Sequence, residues 1–156
     1  MMKRFLLAAA ACLAFAGAAE ARPIHDRGMT VEEVSAWLKS AGFEPKIQKT
    51  DAGESYVHSA TKEGINFDID LYDCTEGRCR ALQFVASFDL KEPLAAAKVN
   101  EWNRKKRYLR ASIDDNGDPT FAYDANVAPG GTYEALQDDL DVFMQFMPEV
   151  LEHIGW

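Results

Sequence analysis

Positive charge is scarce in this chain. Its 17 Lys and Arg stand against 25 Asp and Glu, a formal net of −8. That balance excludes nucleic-acid binding through bulk charge, which needs a surplus of cations to displace phosphate counterions. Histidine is rarer still: His25, His58 and His153 are scattered and suggest no metal-ligand set. The chain has no Gly-rich phosphate cradle, no dinucleotide fingerprint and no Gly-x-Ser-x-Gly elbow. Ser55, His58 and Ser59 are close in sequence, but proximity in sequence is not a triad. Nothing here calls for a cofactor. Internal repeats and low-complexity segments are also missing.

Long apolar runs are limited to one, from Phe5 to Ala19. It falls short of the about 20 residues a membrane helix needs. Met1 to Arg4 forms a basic start, and Ala19-Glu20-Ala21 is a small-x-small cleavage site. This order predicts a secretory signal peptide over residues 1–21, with Arg22 as the new N-terminus. Pro23 keeps a helix from continuing past the site, which disfavours an uncleaved anchor. Cys12 raises lipidation, but Ala9 stands where a lipidation site has Leu, and small apolar residues follow. The expected location is the periplasm or the exterior, with no stable membrane anchor after cleavage. Removal of Lys3, Arg4 and Glu20 moves the net charge from −8 to −9. Residues 22–156 suffice for one domain with a real core.

Two cysteines remain, Cys74 and Cys79, around Thr75-Glu76-Gly77-Arg78. Disulfide, free thiols and a metal site are the readings. Export favours a disulfide across a tight hairpin.

Residues 22–28 are polar and read as a loose lead-in to a single domain over 29–156. Thr30 and Glu33 make a capping box, and Gly42 ends the helix they start. Val31, Val34, Trp37, Leu38 and Ala41 share its apolar face. Strands are predicted at Glu44–Thr50 and Glu54–Ala60 around Asp51-Ala52-Gly53. Ile65, Phe67, Ile69 and Leu71 alternate with Asn66, Asp68, Asp70 and Tyr72, a strand with one wet face. Arg80–Phe88 is the next strand. Pro93 opens a helix to about Arg107 with a narrow stripe of Ala95, Val99 and Trp102. Leu109–Asp115 and Thr120–Val127 flank the hairpin signal Asn116-Gly117. Thr132 caps a last helix whose stripe holds Leu136, Leu140, Phe143, Met144, Met147, Leu151 and Ile154, widened by Phe146 and Val150. Pro148 is expected to kink it. The order α-β-β-β-β-α-β-β-α predicts an α+β fold, with helices on one face of an antiparallel sheet of five to six strands.

Three groups of residues invite chemistry. Asp114-Asp115-Asn116-Gly117-Asp118 lacks calcium-loop spacing and reads as a turn. Asp68 and Asp70 share the wet face of one strand, and paired carboxylates can do acid–base work; solvation is the simpler reading. Asn100-Glu101-Trp102-Asn103-Arg104 is the most unusual run. Trp102 belongs to the core, and Asn100 and Arg104 lie opposite it. Two Asn residues inside a helix lower its propensity, so at least one should hydrogen-bond. Arg104, Lys105, Lys106, Arg107 and nearby Arg110 are the only dense basic cluster. It suits the negative end of a helix dipole and also docking of an acidic partner.

The cysteine hairpin, the strand LQFVASFDL, the helix NEWNRKKR and the hairpin DDNGDP leading to DANV together resemble the YbjN-domain family. The resemblance spans Met29 to Ile154. It implies a fold like that of type III secretion chaperones and a role in bacterial sensory transduction without assigned chemistry. Asn100, Glu101, Trp102, Asn103 and Arg104 match its signature; it supplies no catalytic residues. The signal peptide departs from cytosolic members, whose partners this chain should not meet. The function expected is an exported, non-enzymatic regulatory module. It should bind a protein or peptide through Asn100, Arg104, Lys105, Lys106, Arg107 and Arg110. The wide last stripe leaves room for a homodimer. The alternative is a small periplasmic hydrolase or ligand-binding enzyme using the Asp68/Asp70 face.

Overall fold

The computed structural model describes residues 20–156. The signal-peptide reading covers residues 1–21, of which 1–19, with Cys12, lie outside the described residues.

Among the described residues three helices and six strands follow in the expected order: α1 (Val31–Ser40), β1 (Lys46–Lys49), β2 (Ser55–Ala60), β3 (Asn66–Thr75), β4 (Arg78–Ser87), α2 (Ala96–Lys105), β5 (Arg110–Ile113), β6 (Pro119–Asn126) and α3 (Tyr133–Ile154). The strands form one sheet, β1-β2-β3-β4-β6-β5, in which all neighbours are antiparallel. The class is α+β.

Alternation decides which face is covered. Val57 stands opposite Ile69, Ile69 opposite Phe84, and Phe84 opposite Tyr123, so these four point the same way. The helices close over that face. Trp37 of α1 lies 6.3 Å from Phe84, Phe143 of α3 lies 5.7 Å from Phe84, and Trp102 of α2 lies 5.0 Å from Phe121. The other face, with His58, Asp68, Asp70, Gln83 and Asp124, stays open.

The boundaries differ from expectation for identifiable reasons. The helix expected from Pro93 to Arg107 is shorter. The Pro93 region instead packs against the Asp114–Asp118 turn, where Leu94 donates its N–H to the Gly117 carbonyl at 2.9 Å. β1 holds four residues rather than seven, because Pro45 has no N–H to give the ladder. The β3–β4 hairpin is longer than expected. Glu76 and Gly77 form its two-residue turn, with φ of 52° and 77°, the doubly positive pattern that matches strand twist. Cys74 and Cys79 thus stand directly opposite each other, joined as a disulfide with Cα atoms 3.9 Å apart. α3 continues through Pro148 as one helix of 22 residues.

The segment 22–28, expected to be loose, is tied down. Ile24 is buried, and its N–H meets the Gly131 carbonyl at 2.9 Å. Arg22 pairs with Glu134 at 2.8 Å, and Arg27 with Glu76 at 2.6 Å. Met29 exchanges two backbone hydrogen bonds with Cys79, at 3.0 and 2.8 Å. A single buried isoleucine in a polar stretch gave no periodicity to read. Arg78 locks the junction: it donates to Glu33, at 2.8 and 2.9 Å, and to the Gly28 carbonyl at 2.6 Å. That guanidinium holds the Glu33 carboxyl below its ordinary range. Glu33 meanwhile completes the capping box with Thr30.

Candidate functional site

The unusual run on α2 splits into an inward and an outward half. Trp102 is 1% exposed, and its indole N–H donates to the Leu109 carbonyl at 2.9 Å. Asn103 makes two bonds to one residue. Its amide donates to the Ala111 carbonyl at 3.0 Å and accepts the Ala111 N–H at 2.8 Å. A helix side chain therefore occupies both outward backbone groups of Ala111 in β5, the last strand of the sheet. Of the two Asn residues, Asn103 has the hydrogen-bonding role; Asn100 is exposed.

The cationic residues also divide. Lys105 pairs with Glu101 at 2.6 Å. Lys106 pairs with Glu149 of α3 and sits 5.8 Å from the Trp102 ring centre. His153 of α3 packs on the same indole at 5.3 Å and meets the Lys98 carbonyl at 2.9 Å. These groups line a shallow cleft of about 350 Å³. Arg104, Arg107 and Arg110 are exposed and make no ion pair among the described residues. Between Arg107 and Arg110 stands Tyr108, 65% exposed with φ of 70°. A bulky residue rarely adopts that left-handed conformation. The Tyr108 ring lies 6.4 Å from Tyr123, nearly parallel, and 6.3 Å from Phe146.

The open sheet face carries the second candidate. His58 Nδ1 lies 2.7 Å from Asp68. Gln83 donates to Asp124 at 2.5 Å. Burial raises the Asp70 carboxyl above its ordinary value, and Asp68 and Glu54 add to the shift. Ser55 and Ser59 alternate with His58 along β2 and so face the helices. The face thus brings a histidine to a carboxylate but no serine to the histidine. Among the described residues no three His, Cys, Asp or Glu side chains cluster to hold a metal. The His58–Asp68 contact was missed because it depends on strand register, in which His58 stands opposite Asp68.

A family model, YbjN, described as "Putative bacterial sensory transduction regulator", matches residues 30–155. The chain belongs to the YbjN family. No curated protein matches it. The matched span runs from the Thr30 cap through α3, so the YbjN domain here comprises the whole sheet and all three helices.

In this YbjN domain the five signature residues do different work. Trp102 and Asn103 hold α2 to β5, and Glu101 steadies the last turn through Lys105. Asn100 and Arg104 make no side-chain hydrogen bond among the described residues. A second concavity lies elsewhere, a groove of about 1140 Å³ between α3, the end of α1 and the β1–β2 end of the sheet. Part of the surplus apolar stripe of α3, Met144 and Leu151, lines it.

Proposed function

We propose that this YbjN protein is an exported, non-enzymatic regulatory module that docks an acidic segment of a protein partner at the end of α2. The observation that carries this reading is the exposed pair Arg104 and Arg107 beside the exposed Tyr108 at the end of α2, on a chain of net −8; Arg110, opposite Ala122, lies on the open sheet face instead. Two guanidiniums without carboxylate partners among the described residues offer forked donors to an acidic segment. An exposed tyrosine next to Arg107 adds a rigid apolar contact. Backbone held in a sparsely populated region is a recurrent property of ligand clamps. Asn100 and Lys105 flank the surface; Lys106 contributes less because Glu149 already engages it. The His58–Asp68 contact favours the enzyme reading, but no serine joins it, and neither candidate concavity is centred on Asp70.

The test reverses Arg104 and Arg107 to Glu together. Both side chains are exposed, so the fold should survive with only a small loss of thermal stability from placing acids at a helix C-terminus. Recovery of the crosslinked partner from the envelope fraction should fall about tenfold, or about 1.4 kcal/mol. Wild-type recovery should itself weaken with salt, because exposed charges are screened over about 8 Å at physiological ionic strength. Unchanged recovery and salt dependence would leave these residues as a solvated helix end.

Export is supported by the basic start, the apolar run, the cleavage site and the oxidised Cys74–Cys79 pair. Mass spectrometry of the envelope-fraction protein should find a mature N-terminus at Arg22. An intact start at Met1 or Met2 refutes export with cleavage.

A further inference from the structure

We propose that cleavage before Arg22 completes a clamp: the new α-ammonium of Arg22 pairs with Glu134 and locks residues 22–29 onto the domain. The inference rests on the export reading and adds a structural consequence to it. Arg22 is held at both backbone groups and at its side chain. Its N–H donates to Glu134 Oε2 at 2.7 Å, and its Nε donates to Oε1 at 2.8 Å. Its carbonyl accepts the Tyr133 N–H at 3.0 Å, and its guanidinium lies 5.3 Å from the centre of the Tyr133 ring. Pro23 then bridges to Thr132, and the Ile24 N–H reaches the Gly131 carbonyl at 2.9 Å. The far end of the segment is fixed separately, by the Arg78 bond to Gly28 and the Met29–Cys79 pair.

The expected scissile bond, Ala21–Arg22, ends at the very nitrogen that Glu134 holds. Its hydrolysis consumes one water. The Ala21 carbonyl becomes a carboxylate, and the Arg22 nitrogen becomes an ammonium that takes the acid's proton. A neutral amide with one hydrogen to give is thereby replaced by a cation with three. A charge-assisted hydrogen bond to a carboxylate is roughly twice as strong as a neutral one. The place by itself does not favour a cation. Thr132 caps α3, so this is the end of the helix where the dipole is positive. Glu134, in the first turn, supplies the countercharge. Around the nitrogen stand Glu134 and Tyr133 from α3 and the guanidinium of Arg22 itself.

The test compares two purified chains. One starts at Arg22, released from a fusion by a protease that leaves no extra residue; in the other Gly-Ser-Gly-Ser precedes Arg22. Every described helix and strand lies after this point, so both contain the whole domain. Amide hydrogen exchange of Ile24 at pH 6.5 should be about threefold slower in the chain that starts at Arg22, the scale of an exposed ion pair. Glu134→Gln keeps an acceptor but removes the charge, and should bring the two chains to the same rate. Followed through the Arg22 Hα shift, the α-amine should titrate above the value of a free N-terminus, about 8, and return to it in Glu134→Gln. The added protection is therefore full below about pH 8 and is lost as pH rises through the raised value. Equal exchange of the two chains overturns the proposal. So does a difference that survives Glu134→Gln, or an α-amine that titrates at the free value. The N-terminus found in the envelope fraction tests export by itself, so failure of either reading is told from failure of the other.

Discussion

Trp102→Ala should lower the stability of the domain by about 3–5 kcal/mol, the range for truncating a large buried aromatic side chain. Trp102 is among the largest fully buried side chains and meets Phe121 and Phe146 edge-on, at 5.0 and 6.2 Å. It is also the main apolar anchor of α2, whose only buried residue it is. Truncation removes that contact and the indole bond to the Leu109 carbonyl together. Trp102→Phe separates the two losses. Most of the ring packing survives and the Leu109 carbonyl loses its donor, so about 1–3 kcal/mol should go. Urea unfolding followed by circular dichroism measures both. A loss below about 1 kcal/mol for the alanine variant would mean that α2 is not held through this residue.

Gly28→Ala should be nearly as damaging, with a loss of about 3 kcal/mol or more from backbone strain and broken hydrogen bonds. Gly28 has φ of +91°, and a Cβ there would stand 2.0 Å from the Cys79 carbonyl oxygen. That obstacle is backbone in a disulfide-closed hairpin, not a side chain that can swing aside. Relief requires residues 22–29 to lift off, with loss of the Met29–Cys79 pair and the Arg78 bond to the Gly28 carbonyl. Gly53→Ala is the control. Its φ is +87°, but nothing lies within 4 Å of a Cβ there, so only the left-handed cost of about 1 kcal/mol applies. Hydrogen exchange across residues 22–29 distinguishes the two variants. Equal protection in both would show that the segment is not docked through Gly28.

The contrast between these positions explains what the sequence could disclose. Phe67 and Ile69 announce a strand because burial on one face forces a period of two. Thr30 with Glu33, and Asn116 with Gly117, announce ends and turns because their chemistry acts within a few residues. Trp102 was legible as core for the same reason. Asn103 was harder: its partner, Ala111, lies eight residues away on another element, and only poor helix propensity hinted at a role. The docking of Ile24 and the His58–Asp68 contact depend on tertiary placement, which no local pattern encodes. The basic run of α2 was legible as charge; its division into engaged lysines and unpaired arginines was not, because Glu101 and Glu149 decide it.

The Asn103 clamp also bears on how the protein behaves at high concentration. A sheet that ends in bare amide and carbonyl groups invites a neighbour to add a strand, and fibrils grow that way. At β5 the invitation is narrowed, since the Leu109 carbonyl just before the strand and both Ala111 groups within it already face side chains of α2. At the opposite border, β1 is short and exposed, with lysines at 46 and 49. Two copies aligned antiparallel there would set Lys46 against the other copy's Lys49, and like charges facing across a ladder repel. One margin is blocked at Ala111 by a side-chain amide and the other is guarded by like charges, and both devices disfavour the addition of a strand.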